Sequence, residues 1–464
     1  MSGKIVIVLD CGATNVRSVA INEKGEILAQ KSLHNNTRPD IHHAEGLIWD
    51  IDEIWTKLVK ATKEVISKID KKEIIGLTIT TFGVDGAPMS KSGKLLYPVI
   101  SWACQRTTPI MKSIEKYISH EKLYQISGIN LFSFNTINKL IWFKENKPDI
   151  LDKMDHFVFM PSILIHRLCG EFVTDTTMAG TSMITDIKTR NFSDKILNAI
   201  DVENKFPKIT EPGTIVGKIH NIAANETGLP ENLPIVATGH DTQFAIIGSG
   251  AKTNQAVLSS GTWEILMART ESISLSRQTK HLGITNELDA TPGLYNPALQ
   301  WLGSGILEWI KQMFYTKQLN ELKPDEVYDF IINAAKNAKT TNLNFDLDFL
   351  NNQGSISGLG LNTKPEEIYR TALEALSAKT KESLVLLEKS GDFKAESLIV
   401  VGGGSKNSLW NELRSKTLGI PVKLTKQKET TVLGAALFTF YGVNYFDSLN
   451  LSFDDYNALS LQKK

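Results

Sequence analysis

At 464 residues the chain exceeds one ordinary core and has the length of two or three domains of roughly 100–200 residues each. Lysine plus arginine and aspartate plus glutamate both number 51, so the formal net charge is zero, and no basic tract or acidic tail points to nucleic acid or an anionic membrane as the main partner. Cys11, Cys104 and Cys169 have no CxxC spacing, which indicates neither a disulfide framework nor a zinc site. With the first apolar run broken by Asp10 and no uninterrupted run of about 18 apolar residues, the expectation is a soluble cytoplasmic protein.

The opening "KIVIVLDCGATNVRSVAINEKGEILAQ" predicts an antiparallel meander. Its strands would be Lys4–Leu9, Val16–Ile21 and Glu26–Gln30, with Gly25 suited to a positive φ in the second turn. An amphipathic helix is predicted over Ile51–Ile69 and a buried strand in Glu73–Gly83, an alternation that points to an α/β domain. Residues from about Pro109 to Phe206 read as mostly helical, and β character restarts near Pro212. "AVLSSGTWEILMA" (Ala256–Ala268) repeats the opening logic of strand, small-residue turn and strand, so two copies of one domain are expected, divided near Ser249–Asn254. A long helix is predicted from Pro365 to Ser390 behind a capping box of Thr363 and Glu366. "SLIVVGGGSKNSLWNELRSKTLGIPV" then reads as a nucleotide-type βαβ element, and "TTVLGAALFTFYG" as a small-residue helix able to pack closely against something flat.

Several of these stretches could carry chemistry. The two hairpin turns expose backbone N–H groups that can converge on an anion, with Thr14, Asn15, Ser260 and Thr262 adding side-chain donors; either turn alone could equally be chosen for backbone geometry. Asp10 could hold Mg²⁺ or cap its turn. In "VATGHDTQFAI" Asp241 is placed to act as a general base or as a helix N-cap, and His240 beside it reads more simply as a structural histidine. Asp85, flanked by glycines, with Trp102 and Arg106, has the polar and aromatic make-up of a sugar pocket, although turn chemistry and a core Trp explain the same letters. The run Gly402–Gly404 could admit a purine or ribose or could serve a tight strand–helix turn. Neither GxxxxGK[ST] nor GxGxxG occurs.

Taken together, "LDCGATNVR", "GHDTQ", "SSGTWE" and "VVGGGSKN" stand in the order expected of the actin-like ATPase superfamily, and the chain resembles its FGGY carbohydrate kinases. The finer text, including "TTFGVDGA", "FSFNT" and "TMAGTS", is similar over nearly the whole length to the branch that phosphorylates L-fuculose. The resemblance implies an α/β fold of two actin-like ATPase (ribonuclease H-like) domains with an interdomain catalytic cleft. Residues 1–248 would bind sugar and carry the base, and residues 249–464 would bind the nucleotide. It implies ATP and Mg²⁺ as cofactors, with Asp241 as the catalytic base and Asp10 and Asp241 at the metal. Ala13, Thr14, Asn15 and Arg17 match the first phosphate loop, Thr262 the second, and Gly403, Gly404 and Asn407 the adenosine motif. By similarity to rhamnulokinases, Gly83, Asp85, His240, Asp241, Thr242 and Asn296 would contact the ketose.

The implied activity is phosphorylation of the C1 hydroxyl of L-fuculose, with L-rhamnulose, ribulose or xylulose as alternative acceptors. Expected partners are the ketose and ATP, with neither nucleic acid nor membrane, and a homodimer is left open. A chaperone-like or filament-forming ATPase would share the hairpins but lack "GHDTQ" and the Asp85 pocket. Two departures stand out. The first loop reads Gly-Ala-Thr-Asn where many relatives have Gly-Thr-Thr-Ser, and Ser304 stands where rhamnulokinases carry a glutamine near the nucleotide.

Overall fold

The computed structural model describes residues 3–338, 342–350, 352–425, 428–449 and 462–463. They form two compact units, and no helix among the described residues is long and apolar enough to cross a membrane.

The first unit opens with the expected meander, β1 (Ile5–Cys11), β2 (Asn15–Asn22) and β3 (Ile27–His34), and Gly25 takes φ +75° in the second turn. Helix α1 (Ile51–Ile66) follows, capped by Asp50, whose carboxylate accepts the Glu53 N–H at 3.0 Å. Strand β4 (Ile74–Thr81) then runs parallel to β1. Further along come α2 (Thr136–Asn146), β5 (Ile215–Lys218), β6 (Pro234–Val236) and α3 (Asp241–Gly248). The sheet order is β5-β6-β4-β1-β2-β3, with β6 also parallel to β4.

Strand β1 is apolar from Ile5 to Leu9 because both of its faces are covered. Ile5, Ile7 and Leu9 pack with Ile54, Leu58 and Val65 of α1, while Val6 and Val8 pack on the other side with Phe244 and Ile247 of α3. By the two-residue period of a strand, Asp10 falls on the α3 side. The strand also runs through Asp10 to Cys11, past the end expected from the apolar letters, so the carboxylate sits within the sheet and is buried.

The second unit repeats the plan with β7 (Gln255–Ser260), β8 (Trp263–Arg269) and β9 (Tyr295–Leu302) as an antiparallel set. Helix α4 (Pro365–Gly391) precedes β10 (Leu398–Val401), α5 (Ser408–Leu418) and β11 (Val422–Leu424). Within a seven-stranded sheet these five lie in the order β9-β8-β7-β10-β11, and β10 lies parallel to β7 as β4 does to β1. The α4 cap falls one residue later than expected. The Glu367 carboxylate accepts the Lys364 N–H at 2.8 Å, because the Thr363 hydroxyl is already accepting the Gly360 N–H at 2.9 Å in the preceding turn.

The chain then returns to the first unit with α6 (Thr430–Gly442). The units are therefore not divided at one point. The first takes in everything up to Gly250, Ser274–Asn296 and the chain from Glu429 through α6; the second takes in Ala251–Ile273, Pro297–Lys428 and the strand Gln462–Lys463. What draws α6 back is close helix packing: it buries Val432, Leu433 and Phe438 in the cluster that holds Val6, Val8 and Phe244. Its small residues let it approach α3 at backbone distance. A Cβ on Gly248 would lie 1.8 Å from the Thr430 carbonyl oxygen, and one on Gly434 2.0 Å from the Phe244 carbonyl oxygen. Gly248→Ala should therefore cost about 2 kcal/mol or more by forcing the helices apart. The measurement is thermal unfolding, where an unchanged midpoint would contradict the close contact.

Candidate active site

The pleat that covers β1 on both sides delivers Asp10 to the face where α3 and α6 begin. Asp241 is the first residue of α3, and Glu429 immediately precedes α6. Register places Asp10 directly across from Arg17, whose Nε donates to Asp10 Oδ2 at 3.0 Å; the guanidinium also pairs with Glu429. Burial lifts the Asp10 carboxyl to about 6, against the pull of Arg17. Asp241 is raised too, chiefly by burial, with His240 opposing. Its side chain still keeps 30 % of its surface open. One Asp241 oxygen accepts the Thr242 N–H at 2.7 Å and the Thr242 hydroxyl at 3.2 Å. The N-cap position of α3 is taken by His240, and Asp241 is the first residue of the helix.

The turn that follows β1 is closed by the Gly12 N–H donating to the Asn15 carbonyl at 2.9 Å. Asn35 anchors it from β3's end, its amide donating to the Gly12 carbonyl at 3.0 Å and its backbone N–H to Thr14 O at 2.7 Å. Thr14 and Asn15 are thus left outward, over a pocket of about 590 Å³ lined by Asp10, Gly12, Thr14, Asn15, Arg17, Gln30, Lys31, Ser32 and Glu429. Ala13, within the turn, packs against the apolar core and does not line that pocket. Among the described residues no group of three or more His, Cys, Asp or Glu could hold a metal by itself. Magnesium needs only one or two carboxylates plus phosphate oxygens and water. Asp10, whose Arg17 contacts both fall on Oδ2, and the partly open Asp241 fit that requirement.

Behind Asp241 lies a buried polar chain that the sequence did not disclose. His240 Nδ1 is 3.5 Å from Glu287, which also receives the Gln243 amide and the Thr181 hydroxyl, the latter at 3.0 Å. Burial works against charge on His240, yet Glu287 raises its pKa overall. Gly83 abuts this histidine: a Cβ there would lie 2.8 Å from His240 Nε2. Asp85 is fully buried and heavily engaged, pairing with Lys139 through one oxygen and accepting the Trp49 indole N–H (2.7 Å) and the Trp102 backbone N–H (3.0 Å) through the other. The Trp102 ring is partly exposed. Arg106 stands apart as an internal ion pair with Asp40 at 2.7 Å. Asn296 is buried and donates to Asp289 at 3.0 Å.

In the second unit, Thr262 lies in the β7–β8 turn, where the Gly261 N–H donates to the Trp263 carbonyl at 3.0 Å. Ser304 braces that turn, its hydroxyl donating to the Gly261 carbonyl at 2.6 Å. Gly402 takes φ +84° against the Ser260 carbonyl, Gly404 leaves no room for a Cβ beside Ser260 Oγ, and Gly403 faces open space. Asn407 is the N-cap of α5, accepting the Trp410 N–H at 3.1 Å. Beneath these elements Arg414 donates to Glu264 at 2.8 Å and to the Ser260 hydroxyl at 2.9 Å, with all its surface buried. Glu287, Glu429 and Arg414 carry no signal in a single sequence, since their partners are distant in the chain. Lys139 is different: a lone charge in the largely apolar "TINKLIWF" was a sign of an internal ion pair.

The model for the N-terminal domain of the FGGY family of carbohydrate kinases matches residues 5–248, and that for the C-terminal domain matches 256–443. The chain belongs to the FGGY family of carbohydrate kinases and is an ATP-dependent sugar kinase with the two-domain α/β, actin-like ATPase fold. It is 45% identical over 449 residues to the L-fuculokinase of Escherichia coli K12, covering 97% of this chain and 94% of that one. With the L-fuculokinase of Haemophilus influenzae it shares 45% over 456 residues, 96% of each chain. A rhamnulokinase of Bacteroides thetaiotaomicron is 26% identical over 434 residues, 92% of this chain and 88% of that one. The ligand-bound xylulose kinase of Lactobacillus acidophilus has the same fold, with a TM-score of 0.87 at 19% identity over 99% of this chain and 93% of that one.

The buried Arg414–Glu264 pair generates a stability prediction. Arg414→Met strands the Glu264 charge and should cost about 3–5 kcal/mol, whereas the double variant Arg414→Met with Glu264→Leu should recover most of that loss. Urea midpoints of the three proteins provide the check, and equal losses in the single and double variants would contradict the pairing.

Proposed function

We propose that this kinase transfers the γ-phosphoryl group of ATP to the C1 primary hydroxyl of L-fuculose, with Asp241 as general base. The observation that carries the reading is the placement of Asp241: buried enough to have its pKa raised, open enough to meet a substrate, and fixed at the start of α3 by Thr242. A carboxylate so tuned can accept the hydroxyl proton as the oxygen attacks phosphorus. The choice of L-fuculose rests on the two L-fuculokinases that share 45% identity over nearly the full length.

In this reading Gly83, Asp85, His240, Thr242 and Asn296 shape the ketose pocket. Ala13, Thr14, Asn15 and Arg17 take nucleotide phosphate, as does Thr262 on the second unit. Gly403, with open space over its Cα, and Gly404 receive the adenosine, while Asn407 fixes the start of α5 beside them. Asp10 and Asp241 would hold Mg²⁺, which when bound neutralises charge on the phosphates. Arg17 keeps Asp10 in register and adds positive charge to the same pocket. Phosphoryl transfer asks the protein mainly for alignment and charge compensation, and these groups are of the kinds it requires.

Asp241→Asn should keep nucleotide binding and lose roughly 10²–10⁴-fold in turnover. ADP release across L-fuculose, L-rhamnulose, D- and L-ribulose, D-xylulose and glycerol at matched concentrations should favour L-fuculose. Near-wild-type turnover in the variant would remove Asp241 as the base, and preference for another ketose would replace the acceptor.

A further inference from the structure

The corner that presents Asp85, Gly83–Val84–Asp85–Gly86, has a backbone that its sequence does not favour. Val84 has φ +62°, the left-handed region, where a β-branched residue is an outlier. Such strain persists only where neighbours over-determine it. Here the neighbours are two side chains from the first turns of α2. The Thr136 hydroxyl donates to the Val84 carbonyl at 2.8 Å, and the Lys139 ammonium donates to the same carbonyl at 3.0 Å while pairing with the Asp85 carboxylate. Val84, Asp85, Thr136 and Lys139 are all buried.

The corner has no slack elsewhere. Gly83 is stopped by the His240 ring, a Cβ on Gly86 would lie 2.7 Å from the Val158 carbonyl oxygen, and the Asp85 carbonyl accepts the Met160 N–H at 2.9 Å. Rotating Val84 back to negative φ would have to move Gly83 against His240 or pull Asp85 off Trp49 and Trp102. Lys139 spends its charge inside this corner, on the Val84 carbonyl and the Asp85 carboxylate.

We propose that Thr136 and Lys139 form a clamp that holds Val84 in its left-handed conformation and thereby sets Gly83 and Asp85 for sugar recognition. They are positioning residues that act through the corner without touching the reacting atoms. The proposal rests on the reading above in which Gly83 and Asp85 line the ketose pocket.

Thr136→Val removes one clamp bond without altering charge, and so is the variant that keeps its fold. Measured with the ketose that the wild type turns over fastest, it should raise the ketose KM by roughly tenfold, with kcat within about threefold and the ATP KM within about twofold. In a Val84→Gly background, where positive φ is unstrained, the same substitution should change the ketose KM by no more than about twofold. Lys139→Met should raise the ketose KM further and lower the unfolding midpoint, since it strands Asp85. An unchanged ketose KM, an equal rise in the ATP KM, or the same Thr136→Val effect in both backgrounds would overturn the clamp. If the wild type phosphorylates no ketose, the functional reading fails on its own, and a crystal structure of Thr136→Val then decides: Val84 relaxed to negative φ supports the clamp, and an unchanged corner overturns it.

Discussion

A carboxylate at the end of a strand buried on both faces needs its countercharge built into the fold, and the register of the first hairpin provides it by setting Arg17 opposite Asp10. Two more acids of the first unit, Asp241 and Glu429, act on this pair. The strand's period sends Asp10 toward α3 and α6, whose starts bring Asp241 and Glu429 to the same face. Helix N-termini carry partial positive charge, so three acids can gather there at tolerable cost. The same setting suits phosphate, and that pair together with seven other residues lines the pocket outside the turn.

The second unit has the same strand plan but a different solution to its internal charge. There the buried acid, Glu264, lies on the second strand of the hairpin, and its partner Arg414 comes from a helix, reaching Ser260 as well. Arg414 also lies over the Trp410 ring at 3.6 Å, so the cation is satisfied on its flat face as well as its edge. The consequence is mechanical: one guanidinium ties the β7–β8 hairpin to α5, the helix that follows the glycine run. The glycines at 402 and 404 exist because Ser260 occupies the space their side chains would need.

How much could be read from the letters follows from the range of the physics. Strand, turn and helix signals are local, so the two hairpins, the long helix and the βαβ element were legible, as was the small-residue character of α6. The α4 cap was misplaced by one residue because Thr363 and Lys364 compete for neighbouring turns, a matter of geometry that letters do not fix. The return of α6 to the first unit was not legible, since it depends on which helix Gly434 meets. Likewise Glu287 and Glu429 acquire meaning only through His240 and Arg17, far off in the chain. Asp85 was legible as a special residue by its glycine flanks, while its saturation by Lys139, Trp49 and Trp102 was not.

The position of α6 in the chain bears on how the protein is made. A ribosome delivers β1 and β2 first, yet the side of that sheet bearing Val6, Val8, Val19 and Ile21 is covered partly by Val432, Leu433 and Phe438, which emerge after the second unit's residues 251–273 and 297–428. Until then a nascent first unit carries an open apolar face, the condition that recruits chaperones and invites aggregation. Completion of the first unit therefore waits until the chain has been made as far as α6, and a chain stopped short of residue 430 lacks that cover however well its second unit has formed.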